Sequence, residues 1–259
     1  MRSIAGISLA FGLSIYSYAS VPVVNPDVME VSSFDETSVL SLYCQLAPDQ
    51  YFQSRLAILE TLDKDFDFGL TTAHGLVDEN ERILTNCNVL GLDGKLHPIE
   101  MTFVPMNYGA GTETDWAVLK VRKFKDEDLR RHKLPLFSEA LIREFKTAAN
   151  LVQFARSRGI GVNNQNCMSL PGDFAGLKSG SILVHDCRAF PGQSGSPLTL
   201  RIENQSTIVG IHLGKSFIVR SPVTQKPENL GYFRFVDPEF VLEIESAIRS
   251  LSHESQRYD

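Results

Sequence analysis

Short runs rich in β-branched and aromatic residues recur along the chain, each closed by a cluster of turn-forming residues. This spacing limits the possible folds more than any other feature. The runs include Ser38 to Leu46, Phe68 to Ala73, Arg82 to Leu90, His97 to Val104 and Trp116 to Val121. They resume with Leu151 to Phe154, Ser181 to His185, Pro197 to Ile202, Thr207 to Leu213 and Tyr232 to Val236. Such intervals predict an all-β barrel or sandwich rather than βαβ units. The pattern breaks between Arg122 and Lys133, which holds six basic and three acidic residues, and Ser138 to Ala149 then reads as helical. Residues 122–149 are therefore expected to be a solvated linker between β halves at 37–121 and 150–236. After it, Asp237 is a candidate N-cap, with Pro238 at the first helical position and Glu239 in the first turn. Phe240, Val241, Ile244, Ile248 and Leu251 repeat at spacings of three and four. A C-terminal α-helix within 237–259 should pack that face on the body.

The first residues read as a targeting segment. Arg2 precedes a charge-free stretch from Ile4 to Ile15, and Ser17-Tyr18-Ala19 offers small residues at a cleavage site. Residues 1–19 are expected to be a signal peptide, since the run is short for an uncleaved anchor. Residues 20–36 are an N-terminal arm or a short propeptide. The expected location is secreted or periplasmic, without stable membrane insertion. With 43% hydrophobic and 22% charged residues, the 259-residue chain can bury a sizeable core, which excludes disorder and coiled coil. Lys plus Arg number 25 against 31 Asp plus Glu, net −6, with no basic stripe, so nucleic acid is not an expected partner. Export gives the four cysteines meaning, because thiols outside the cytosol oxidise. Cys44, Cys87, Cys167 and Cys187 match no metal-ligand spacing. Of the three possible pairings we favour Cys44–Cys87 and Cys167–Cys187, each joining neighbouring strand-like segments; buried free thiols are the alternative.

Three stretches carry chemistry. In Pro191-Gly192-Gln193-Ser194-Gly195-Ser196-Pro197-Leu198, flanking glycines permit the tight turn that presents a serine. A serine hydroxyl is a weak nucleophile until a base takes its proton. Leu70-Thr71-Thr72-Ala73-His74-Gly75-Leu76-Val77 places a histidine at the end of a β-type run. In Thr114-Asp115-Trp116-Ala117-Val118-Leu119-Lys120-Val121 an aspartate opens an apolar strand. Taken singly these are a loop, a core or surface histidine, and a turn residue.

Together they resemble the chymotrypsin-like (trypsin-fold) serine peptidases, through T-x-A-H, D-W-A-V-L and G-x-S-G-S-P-L in the order His, Asp, Ser. The resemblance covers nearly all of the expected mature chain. It implies two antiparallel six-stranded β-barrels with the active site in the cleft between them. It also implies a nucleophile at Ser194, a general base at His74 and an orienting carboxylate at Asp115. The backbone N–H groups of Gly192 and Ser194 would form the oxyanion hole, with protein or peptide substrates, no cofactor and no metal. A monomer is expected.

The departures are informative. Gln193 stands where animal trypsins have an aspartate that pairs with a freed N-terminus; being neutral, it cannot form that ion pair. Gly75 replaces the usual cysteine after the histidine. The Ser-Gly-Ser-Pro ending and His185-Asp186-Cys187 resemble the bacterial secreted trypsin-like, glutamyl-endopeptidase-like branch. Arg188, six residues before Ser194, falls where family members place the base of the primary specificity pocket. His212 and Gly214 fall on the strand lining that pocket. A cation there would favour an acidic substrate side chain, although Ala189 stands where glutamyl-specific members have threonine. His97, His132, His185 and His253 read as surface or satisfied core residues. Asn204-Gln205-Ser206 is a glycosylation sequon. A catalytically silent binding or scaffold protein of the same fold is the alternative. An α/β-hydrolase esterase would need strand–helix alternation and the order Ser, Asp, His.

Overall fold

Successive side chains of a strand point to opposite faces, so a strand apolar at every position must be covered on both sides. Residues 54–59, 67–71, 117–121 and 182–185 are strand segments buried on both faces and largely apolar. The computed structural model describes residues 39–47, 50–78, 80, 82–125, 129–135, 137–158, 161–175, 177, 179–202, 205–220 and 227–254. Strands β1 (Val39–Ala47), β2 (Gln50–Leu59), β3 (Phe66–Thr71), β4 (Cys87–Leu90), β5 (Leu96–Phe103) and β6 (Ala117–Arg122) form one closed antiparallel barrel. Its order is β1-β2-β3-β6-β5-β4. A second closed barrel, ordered β10-β11-β12-β9-β8-β7, contains β7 (Asn150–Arg158), β8 (Gly161–Leu170) and β9 (Ile182–His185). It is completed by β10 (Pro197–Ile202), β11 (Gln205–Arg220) and β12 (Pro227–Phe235). The all-β expectation, with two six-stranded barrels and a C-terminal helix, is met.

Three cores follow from the two-faced strands. Leu56 and Ile58 of β2, with Ala117, Leu119 and Val121 of β6, fill the first barrel. Val152, Phe154, Leu183, Leu198, Phe233 and Phe235 fill the second. The opposite faces of β2 and β6, through Ala57, Leu59 and Val118, with Trp116 just before β6, meet Ile208, Ile211 and Leu213 of the second barrel in a third core. That third core joins the barrels.

Helix α1 (Glu139–Thr147) begins at Ser138, whose Oγ accepts the Leu141 N–H at 3.3 Å, and buries Phe145 against Phe235. Helix α2 (Pro238–Glu254) starts as its sequence implies: Asp237 Oδ1 accepts the Phe240 N–H at 3.0 Å. Phe240, Val241, Ile244, Ala247 and Leu251 enter the third core. At its far end the buried Lys120 ammonium donates to the Leu251 carbonyl at 3.1 Å. This satisfies a charge that would otherwise be costly to bury and an end carbonyl that has no partner within the helix. Cys44 faces Cys87 across the β1–β4 ladder in one disulfide, and Cys167 pairs with Cys187 in the other. Both favoured pairings are present. Among the described residues no helix is long and apolar enough to cross a membrane. The expected signal peptide at 1–19 and arm at 20–36 lie outside the described residues, as does Asn204 of the sequon.

Candidate active site

Strands β3 and β6 pair up to Thr71 opposite Ala117, so the residues just beyond that pair are placed side by side. After Thr71 the chain leaves the sheet and makes one turn of 3-10 helix, Ala73–Gly75, carrying His74. Asp115 follows a matching turn at Thr112–Thr114 and leads into β6. Its Oδ1 accepts the backbone N–H of His74 at 2.9 Å, and its Oδ2 lies 2.7 Å from His74 Nδ1. A carboxylate at that distance fixes the proton on Nδ1 and leaves Nε2 as the acceptor of the neutral ring. Phe52 of β2 sets its ring edge-on to the imidazole, with centroids 5.9 Å apart. The His74 side chain is 32% exposed and that of Asp115 17%, so the imidazole faces solvent while the carboxylate is more enclosed. Burial is the largest single influence on His74 and opposes its charged form. The field of Asp115 and the hydrogen bond to it together outweigh burial, raising the pKa above the ordinary histidine value.

Ser194 sits in the tight turn between β9 and β10. Gly192 and Gly195 have φ of +83° and +85°, a conformation natural only to glycine. At Gly195 a Cβ would also strike the Arg55 carbonyl and the Thr71 hydroxyl. The Ser194 peptide bridges the barrels. Its carbonyl accepts the N–H of Arg55 on β2 at 2.7 Å, while the next N–H, of Gly195, donates to His212 on β11 at 2.7 Å. The N–H groups of Gln193, Gly195 and Ser196 are all bonded within or beside the turn. Among the described residues the N–H groups of Gly192 and Ser194 have no hydrogen-bond partner. The Ser194 hydroxyl contacts the Leu213 carbonyl at 3.4 Å, long for such a bond, and makes none to His74.

The residues read as pocket-lining are dispersed around this turn. Arg188 is exposed, with its guanidinium 5.2 Å from the Phe190 ring centroid. His212 is buried on β11, and its Nδ1 lies 2.9 Å from Nε2 of the equally buried His185. Gly214 follows a shift in the β11–β12 register and packs against Tyr232. Among the described residues no group of three or more His, Cys, Asp or Glu is gathered as metal ligands would be. Sequence reading did not single out Arg55, Leu213 or Phe52. Arg55 and Leu213 serve the site through backbone atoms, which leave no mark on residue type, and Phe52 reads as one more apolar strand residue.

No protein-family model matches the sequence, and no curated protein matches it. Among solved structures, the protease Anisep from Arthrobacter nicotinovorans superposes with a TM-score of 0.55. The match covers 79% of this chain and 92% of that one at 8% sequence identity. At so low an identity the likeness is one of fold: this chain has the two-barrel architecture of that protease.

Proposed function

We propose that this chain is an exported serine endopeptidase of the chymotrypsin-like fold, in the bacterial trypsin-like branch. The observation that carries the reading is the double grip of Asp115 on His74, beside a glycine-flanked serine turn with two open N–H groups. In this mechanism His74 Nε2 takes the proton of Ser194 Oγ as that oxygen attacks the scissile carbonyl. Asp115 keeps Nδ1 protonated and stabilises the imidazolium that forms. The Gly192 and Ser194 N–H groups receive the oxyanion. The tetrahedral intermediate then collapses, the C–N bond breaks, and His74 returns its proton to the leaving amine. Water hydrolyses the acyl-enzyme by the same route. Arg188 and His212, with Gly214, are assigned to the primary pocket, where positive charge favours an acidic side chain before the scissile bond.

The position of the Ser194 hydroxyl, turned to Leu213 rather than to His74, favours a second reading, a silent binding protein of this fold. One experiment separates them. Mature protein from Ser20 and its Ser194→Ala variant are each given an unbiased peptide pool, and the products are mapped by mass spectrometry. Cuts made by the unmutated protein alone are expected, enriched in Glu or Asp before the cut. Cuts without that enrichment remove the pocket assignment and leave the mechanism. No Ser194-dependent cut removes the peptidase reading.

A further inference from the structure

A cavity of about 170 Å³ contains no residue of the serine turn. Its wall includes Glu113 and Thr114 before β6, Arg234 of β12, and Glu239 and Glu243 of α2. One water needs only ~10–15 Å³ by the same measure, so the space suits an organic group. Two features define that group. The first is negative charge. Glu113, Glu239 and Glu243 are exposed, and among the described residues none of them forms an ion pair. Glu239 and Glu243 stand about one helical turn apart, where like charges repel. Desolvation, with the fields of Glu239 and Asp237, raises the Glu243 pKa above the ordinary carboxyl value against the pull of Arg234.

The second feature is a guanidinium with unused donors. Arg234 is 4% exposed. Its Nη1 donates to the Ser181 carbonyl, the Phe235 carbonyl and Asp237 Oδ2 at 3.4, 3.2 and 3.4 Å. Among the described residues Nε and Nη2 make no hydrogen bond. Donors enclosed without an acceptor are costly. The carboxylates therefore call for a cation, and the guanidinium for a neutral acceptor oxygen. A polyamine supplies only the cation. A basic residue within a peptide supplies both, through its side chain and its main-chain carbonyl.

We propose that this cavity binds a basic side chain, arginine in preference to lysine, on a peptide segment of a partner protein. The planar fork of arginine can bridge carboxylates from two walls, whereas a lysine ammonium acts as a point charge. Arg234 does not repel such a guest as a free cation would, because Asp237 stands 3.4 Å from its Nη1. Thr114 precedes Asp115 in the chain, so the guest docks beside the turn that carries that carboxylate. The proposal does not depend on the peptidase reading.

The test uses mature chain from Ser20 carrying Ser194→Ala, so that no peptidase activity consumes the probe. Trp116, the one tryptophan of the chain, lines the cavity and reports its occupancy by fluorescence. The probe is a capped five-residue peptide with one central arginine between alanines and glycines, followed by calorimetry and by emission together. Saturable binding by both is expected. Citrulline in place of the arginine keeps the shape without the charge, and should weaken binding about tenfold, the scale of losing one charged hydrogen-bond partner. Glu113→Gln and Glu243→Gln should each do the same. Glu245→Gln is the control, since Glu245 lies outside the cavity wall and pairs with Arg249 at 3.7 Å; it should leave binding unchanged. Spermidine should bind more weakly than the peptide. Equal affinity for the citrulline peptide or for spermidine overturns the proposal. So do heat without an emission change, no binding at all, or affinity indifferent to Glu113→Gln and Glu243→Gln. Every readout is binding, so none of these failures touches Ser194-dependent cleavage, which stands or falls on the peptide-pool experiment.

Discussion

Asp115 holds His74 through its backbone N–H and through Nδ1, so one carboxylate sets both the place and the tautomer of the ring. Asp115→Asn removes the charge and leaves burial as the dominant influence on the imidazole. The protonation midpoint of His74 should therefore move from above the ordinary histidine value to below it. Proton resonances of the ring followed through a pH titration measure that midpoint directly. The acid limb of kcat/KM should shift to lower pH while its plateau falls by about 10⁴-fold, because the amide favours the wrong tautomer. An unshifted limb would mean that another group titrates there. The sign for stability is opposite. A raised pKa means that the folded state binds the proton more tightly, so this pair stabilises fully below the unfolded histidine pKa. That contribution is lost as pH rises through the folded value, where the proposed base becomes active. At this scale the chemistry-bearing residue types were legible in the sequence, because His, Asp and Ser stand in recognisable local contexts. The supports were not. Arg55 and Leu213 act through peptide groups, and the bond of Gln193 to Phe190 depends on a turn only the folded chain defines.

At the scale of elements, β2 and β8 are the strands that pattern reading missed, for different reasons. In β2 the last six residues are all buried, because Leu56 and Ile58 serve one core while Ala57 and Leu59 serve another. Two-sided burial erases the alternation that marks a half-exposed strand. Strand β8, GVNNQNCMSL, has little β propensity of its own and is held by nine register pairs with β7. The expected Arg82–Leu90 strand shortens to Cys87–Leu90, with Ile83 in an isolated bridge to Val77. The segment expected to be a solvated linker is held to the first barrel at Lys123, Phe124 and Arg131. Arg131 donates from Nε and Nη2 to the two carboxylate oxygens of Asp67 on β3, at 2.8 and 2.9 Å. The Phe124 N–H adds a third bond at 2.9 Å, and Lys123 stands 3.4 Å away. Asp67 is completely buried, which alone would raise its pKa, but these partners outweigh burial and depress it. Asp67→Ala should lower stability by about 3–5 kcal/mol in urea melts, the usual cost of stranding one half of a buried pair. Its depressed pKa means that the bond stabilises above the unfolded carboxyl pKa and fails as pH falls through the folded value. The variant should accordingly show a shallower loss of stability in acid. An unchanged acid limb would place the acid-sensitive group elsewhere.

Over the whole molecule, the Ser194 turn and the third core tie the two barrels together. The turn is bonded to Arg55 of the first barrel and contains the donor to His212 of the second. Behind it, Phe68, Leu70, Trp116 and Val118 meet Ile182, Ile208, Ile211 and Leu213, and α2 seals the seam with Phe240, Ile244 and Ala247. An all-β fold, barrel or sandwich, was legible from turn spacing and the closing helix from a capped amphipathic segment, while the two barrels were implied by the resemblance. The shared core was not, since which strand faces meet across the seam depends on how two separately closed sheets dock. This sharing makes a definite prediction about a residue far in sequence from any proposed catalytic group. Ile244 is fully buried, and Ile244→Ala should lower stability by about 2–5 kcal/mol through lost burial and an unfilled cavity. Because its contacts belong to neither barrel alone, the cost falls on the whole unit. Heating should then give one transition at a lower midpoint, the same by far-ultraviolet circular dichroism and by loss of fluorophosphonate labelling at Ser194. Two separated transitions would show that each barrel melts by itself, with the seam contributing little. The turn would then owe its shape to the second barrel, and the bond to Arg55 could be removed without loss of the site.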